Sequence, residues 1–204
     1  MRPAAWLSIG LGVLAAPLQA QVAADAYAGA VWSSPLVKDE IVAPLTVAPQ
    51  IAPSLAVGAS LPLDPRYRLG LRVGWARNDL VRTELDETTA ILPLTVWSGA
   101  VVLERLLARQ VSAEARIGAL KYAPGGNADG TIFQDDAPFA PLLGLGVRAW
   151  HPLSERLLVG LHVAYDFHRF DTQALKSGGF TSARSVHRVT VSATLRWSAN
   201  RATP

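Results

Sequence analysis

The sequence predicts an all-β protein, an eight-stranded antiparallel up-and-down barrel that crosses a membrane with strands, and three observations carry that prediction. Residues alternate apolar and polar over long stretches. The links between those stretches are short and long in turn. No apolar run near the ~20 residues of a spanning helix follows the N-terminal segment.

The alternation is clearest from Arg188 to Trp197, which reads Arg, Val, Thr, Val, Ser, Ala, Thr, Leu, Arg, Trp. A period of two puts one apolar and one polar face on a strand. The same parity returns in Leu157, Val159, Leu161, Val163, Tyr165 and Phe167 against Gly160, His162, Asp166 and His168, and in Val111, Ala113, Ala115 and Ile117 against Ser112, Glu114 and Arg116.

Taken in chain order, residues 1–20 read as an export signal: Arg2 is the basic start, Ala4 to Pro17 the apolar core, and Leu18-Gln19-Ala20 a cleavage site before Gln21. The expected organisation is a signal at 1–20, a barrel over 21–197 and a short tail over 198–204. The chain has no cysteine, which excludes a disulfide framework, a lipid-anchoring cysteine and a thiolate metal site. The formal charge of +3 is spread along the chain, with no basic run that would suggest nucleic acid.

Eight strand candidates follow, approximately Asp25 to Trp32, Ala48 to Leu61, Tyr67 to Ala76, Ile91 to Leu103, Val111 to Tyr122, Phe139 to Trp150, Arg156 to His168 and Arg184 to Trp197. Most reach the ~9 to 11 residues that a tilted strand needs to cross a bilayer. Short links carry a recurring Leu-x-x-Arg phrase at Leu63, Leu106 and Leu153. Long links run over 33–47, 77–90, 123–138 and 169–183 and are rich in Pro, Gly, Asp, Ser and Thr. Short turns on one rim and long loops on the other are the layout of transmembrane barrels, with both termini on the short-turn, periplasmic side.

Trp75, Tyr165 and Phe167 share the apolar parity near the long-loop end, and Tyr67 and Trp197 share it near the short-turn end, as aromatic girdles at two membrane interfaces would. Trp97 and Trp150 do not obey this scheme. The alternative is a soluble lipocalin-like barrel with the apolar parity turned inward. Against it, the opposite parity carries Gly70, Gly74, Gly118, Gly144, Gly146 and Gly160, which suit a crowded narrow lumen better than an exposed face.

With signal, alternation, turn rhythm and aromatics in view, the chain resembles the small eight-stranded outer-membrane β-barrels of the OmpA and OmpX type. The resemblance implies residence in the bacterial outer membrane, contact with outer-membrane lipid, insertion by the barrel-assembly machinery, and surface loops that meet an extracellular ligand or support envelope integrity. Such barrels commonly end on an aromatic residue that the assembly machinery reads. Here the matching aromatic is Trp197, and Ser198 to Pro204 follow it.

An outward apolar parity leaves Arg68, Arg72, Glu114, Arg116, Arg148, His162, Asp166, Arg188, Thr190, Ser192, Thr194 and Arg196 in the lumen. Charges sealed from lipid must be paired or hydrogen-bonded, so the expectation is a polar network that plugs the bore. A narrow passage is the alternative, and the arginine excess would make it favour anions.

Catalysis has one candidate constellation, Asp166 and His168 with Ser185 and His187 across the fourth long link, the residue types of a Ser-His-Asp arrangement and the basis of a lipid-modifying alternative. No deacylase-like His-x-Ser motif accompanies it, and the expectation is a non-enzymatic barrel. Asp129, Asp135 and Asp136 lack the ligand spacing of a calcium loop, so neither metal nor cofactor is expected.

Overall fold

A computed structural model of the chain describes residues 22–39, 45–126, 128, 131–134, 139–177 and 184–199. The expected signal, Asn127, Asp129, Asp135, Asp136, Gly178, Gly179 and the last residues of the tail lie outside them. The described elements are β1 (Ala23–Ser33), β2 (Val37–Asp39), β3 (Leu45–Pro49), β4 (Ala52–Pro62), β5 (Tyr67–Glu84), β6 (Glu87–Ala108), β7 (Val111–Pro124), β8 (Phe139–Pro152), β9 (Leu157–Phe170), the one-turn helix α1 (Gln173–Ser177) and β10 (Arg184–Ser198). They form one antiparallel sheet of ten strands. Eight of them close a ring in the order β1-β4-β5-β6-β7-β8-β9-β10, and β10 returns to β1 with Ala23 opposite Ser198.

The pleat decides which face meets what. Leu69, Leu71, Val73, Ile117, Leu145, Val147, Leu161, Val163, Val191 and Leu195 are exposed on the outer wall, while Arg68, Arg72, Glu114, Arg148, His162, Arg188 and Arg196 are buried inside. An apolar outer belt of this kind belongs in lipid, and the inverse, lipocalin-like arrangement is overturned. Trp32, Trp97 and Tyr165 stand on the outer wall toward the long-link end and Trp197 toward the other. Trp97 lies directly opposite Trp75 in register, so it belongs to the girdle. Trp150 points inward and is buried.

At the short-turn end, Asp64 Oδ1 accepts from the backbone N–H groups of Arg66 (2.6 Å) and Tyr67 (2.8 Å), and Leu63 N donates to Tyr67 O (2.9 Å). The matching phrase repeats the last bond, Leu153 N to Leu157 O at 2.9 Å. A short polar side chain that satisfies its own turn, Asp64 in one and Ser154 in the other, explains the phrase at Leu63 and Leu153; at Leu106 the following residue is Leu107 and the stretch still belongs to β6.

Three expectations change. The link over 77–90 is no loop: β5 and β6 rise together to a tight turn at Leu85 and Asp86, both left-handed with φ of 48° and 70°. Polar outward residues Arg77 and Asp79 and a register shift at Leu80/Val81 hid this continuation from the alternation. The link over 33–47 contains β2 and the start of β3, which pair with each other, and β3 pairs in turn with the upper part of β5. The candidate over 48–61 is therefore two strands, broken at Gln50 and Ile51, where Gln50 N donates to Asp79 O (3.0 Å) and Asn78 Nδ2 donates to Gln50 O (2.9 Å).

Toward the hairpin end the barrel interior changes character. Leu80 from β5, Leu92, Leu94 and Val96 from β6, Leu120 and Tyr122 from β7, Leu142 from β8, Phe170 from β9 and Val186 from β10 pack into one buried cluster with Leu36, Val37, Val47 and Phe133. Tyr122 and Phe170 meet edge to face at 5.3 Å.

Candidate functional site

The charged lumen below that apolar cluster is built by register. β6 and β7 place Glu104 directly opposite Glu114, and β7 and β8 place Ser112 opposite Arg148. Two carboxylates facing each other repel unless a cation joins them. Arg148 does so, bonding Glu114 with one terminal nitrogen and Glu104 with the other at 3.4 Å.

Glu114 is the hub. Arg72 grips it with two bonds, Nη1 to Oε1 at 2.9 Å and Nη2 to Oε2 at 2.7 Å, and His162 Nε2 lies 2.9 Å from Oε1. A fork-to-fork pair of this type holds geometry as well as charge. Nearer the short-turn end, Arg196 holds Asp25 (2.7 and 3.1 Å) and Glu104 (2.6 Å), while Ser112 Oγ donates to Glu104 Oε1 at 2.6 Å and takes the Trp150 indole N–H at 3.2 Å. Toward the hairpin end, Arg116 Nη2 donates to Asp166 Oδ1 at 2.6 Å.

Aromatic faces complete the packing of the guanidinium groups. Arg72 lies 4.3 Å from the centre of the Tyr27 ring and Arg196 4.5 Å from that of Trp150. Glycines make the room. A Cβ on Gly146 would stand 3.0 Å from both Glu114 and His162, and one on Gly144 would overlap Asp166 and press on Arg116.

Of the residues picked from the sequence, Arg72, Glu114, Arg116, Arg148, His162, Asp166 and Arg196 meet in linked ion pairs and hydrogen bonds. Arg68 is buried beside Ser60, its Nε 3.3 Å from Ser60 Oγ. Ser192 Oγ lies 3.3 Å from His162 Nδ1, and Thr194 is buried without a partner for its hydroxyl among the described residues. Arg188 forms neither a hydrogen bond nor an ion pair among the described residues, although it is buried and lies opposite Asp166 in register.

Asp25, Glu104, Tyr27 and Trp150 belong to the same network and escaped the sequence reading. Ala24, Ala26 and Ala28 share a strand with Asp25 and Tyr27, so β1 has no strong apolar face to set the parity. Glu104 lies one residue past the expected end of its strand, and continuing the alternation through it would have found it.

The Ser-His-Asp arrangement does not assemble. Asp166 and His168 point inward, where His168 Nε2 lies 2.6 Å from the Tyr122 hydroxyl, but Ser185 is exposed and pairs in register with Arg169 on the other face. Among the described residues no group of His, Asp and Glu is placed to hold a metal ion.

No protein-family model and no curated protein matches the chain. Solved structures do. Neisserial surface protein A is 13% identical, with 87% of this chain and 95% of that one covered and a TM-score of 0.50. The outer membrane protein OprG of Pseudomonas aeruginosa is 10% identical over 89% and 96% of the two chains, with a TM-score of 0.51. The outer membrane protein AlkL, solved in lipid bilayers, is 11% identical over 91% and 92%, with a TM-score of 0.54. The chain has the fold of the small outer-membrane β-barrels.

Proposed function

We propose that this is a non-enzymatic barrel of the bacterial outer membrane whose lumen is a structural plug and whose work is done by its exposed loops, in envelope integrity or in contact with an extracellular ligand. Residues 1–20 serve export and are removed, the barrel-assembly machinery inserts the chain, and outer-membrane lipid covers the apolar belt. The short turns face the periplasm and the β5–β6 hairpin faces outward.

The observation that carries this reading is the double closure of the bore. Arg148, Arg196, Glu104 and Glu114 cross it in one layer, and Leu94, Leu120, Leu142 and Phe170 fill it in the next. An eight-stranded barrel has just enough interior for side chains, so two filled layers support a bore closed to bulk water. The exposed outer face of Ser185, turned away from His168, also supports a non-catalytic barrel.

Two measurements on refolded protein test the proposal. Planar-bilayer recording should show no large steady conductance, and mass spectrometry after incubation with lipid A and phospholipid should show no acyl release or transfer. Stable porin-level openings, or acyl release, would each refute it. Orientation is tested on intact cells: single cysteines at Gly126 and Gly178 should react with an impermeant maleimide, and those at Asp64 and Glu155 should not.

A further inference from the structure

We propose that the lumen holds one small monovalent anion, of halide size, in the cavity beneath the apolar layer, with Arg188 as its principal ligand. The cavity measures about 70 Å³, and its polar lining includes three arginines, Arg72, Arg116 and Arg188, against one carboxylate, Asp166, together with His162 and the hydroxyl residues Ser98, Thr190 and Ser192. Its room comes from the small residues Ser54, Ala56, Gly74 and Ala76 on β4 and β5, which face the long charged side chains of β7 to β10.

Charge accounts for the ligand class. Glu114 claims Arg72, and Asp166 claims Arg116 at 2.6 Å. Arg188 alone of the three has no carboxylate within ion-pair distance among the described residues, although it is only 9% exposed. An arginine does not lose its proton, and a buried cation without a direct ion pair is costly. A single negative charge beside Arg188 removes that cost, and the three hydroxyls complete its shell as donors. The carboxylate nearest in register, Asp166, is bonded to Arg116 through Oδ1 and forms no ion pair with Arg188. Occupancy of this site does not depend on what the loops bind.

The full barrel is refolded and crystallised in sodium bromide, and urea unfolding is followed for wild type and Arg188→Met in bromide and in isethionate at equal ionic strength. The expected results are an anomalous bromide peak in contact with the Arg188 guanidinium, and an unfolding midpoint that rises saturably with bromide in wild type but not in R188M. In isethionate R188M should fold at least as well as wild type, since it removes an unpaired charge, which keeps the comparison usable. Lumen density that carries no anomalous signal, bromide only at surface arginines, or an equal bromide response in both proteins would overturn the proposal. Conductance tests the plug separately: a leaky lumen would refute the plug and leave the bromide measurements unaffected.

Discussion

Near the short-turn end the inward pleat holds Arg148, Arg196, Glu104 and Glu114; toward the hairpin end the inward pleat of the same strands holds Leu94, Leu120, Leu142 and Val186. The outer wall changes in the opposite sense. On β5 it runs from Leu69, Leu71 and Val73 to Arg77 and Asp79, and on β7 from Ile117 to Lys121. Where lipid surrounds the barrel, polar groups can only be satisfied inside. Above the belt, where water surrounds it, the ordinary inside-out rule of a soluble protein returns. One strand pair thus carries two opposite hydrophobic phases, and the switch falls at the Trp75–Trp97 pair.

The largest effect should come from removing the cation that joins the charged layer. Arg148→Ala leaves Glu104 and Glu114 face to face, and reversible urea unfolding in lipid vesicles should show a loss of roughly 3 to 5 kcal/mol. A loss below about 1 kcal/mol would mean that the layer is hydrated and not a sealed plug.

The phase switch itself is tested by charge on one outer face at two heights. Val191→Arg, in the belt, should cost roughly 2 to 4 kcal/mol by the same measurement. Ser185→Glu, on the same face of β10 but beyond the belt and opposite Arg169, should stay within about 0.5 kcal/mol. Equal costs would show that the belt extends over the whole strand.

A smaller loss is expected from Gly144→Ala, whose methyl would displace the Arg116–Asp166 pair at the upper edge of the charged layer; overpacking of this kind costs roughly 1 to 3 kcal/mol. Thermal unfolding in vesicles measures it, and an unchanged midpoint would show that the pair has slack. The smallest change is a gain. Leu85→Asn, at the left-handed turn capping the apolar layer, should stabilise by about 1 kcal/mol, because Asn tolerates that conformation and Leu does not.

Within the belt the strands were legible, because lipid outside and a crowded lumen inside impose a strict period of two; this is why Val191, Leu195, Thr194 and Arg196 could be assigned to faces from their order alone. Most of the charged layer was legible for the same reason. The stretch over 77–90 was not, since at Arg77 and Asp79 the polar residues move to the outer face and the pattern reads as a loop.

The sequence by itself therefore determined the class: a strand-built barrel, its girdles, its turn rhythm and the polarity of its two walls, all of which follow from local periodicity and an external solvent. Only the tertiary structure decided which acids meet which arginines, that Asp25 and Glu104 join the network, and that Arg188 is left over beside a cavity. Those outcomes depend on register between strands distant in sequence and on the volume each side chain finds across the lumen, and neither quantity is written in any single strand.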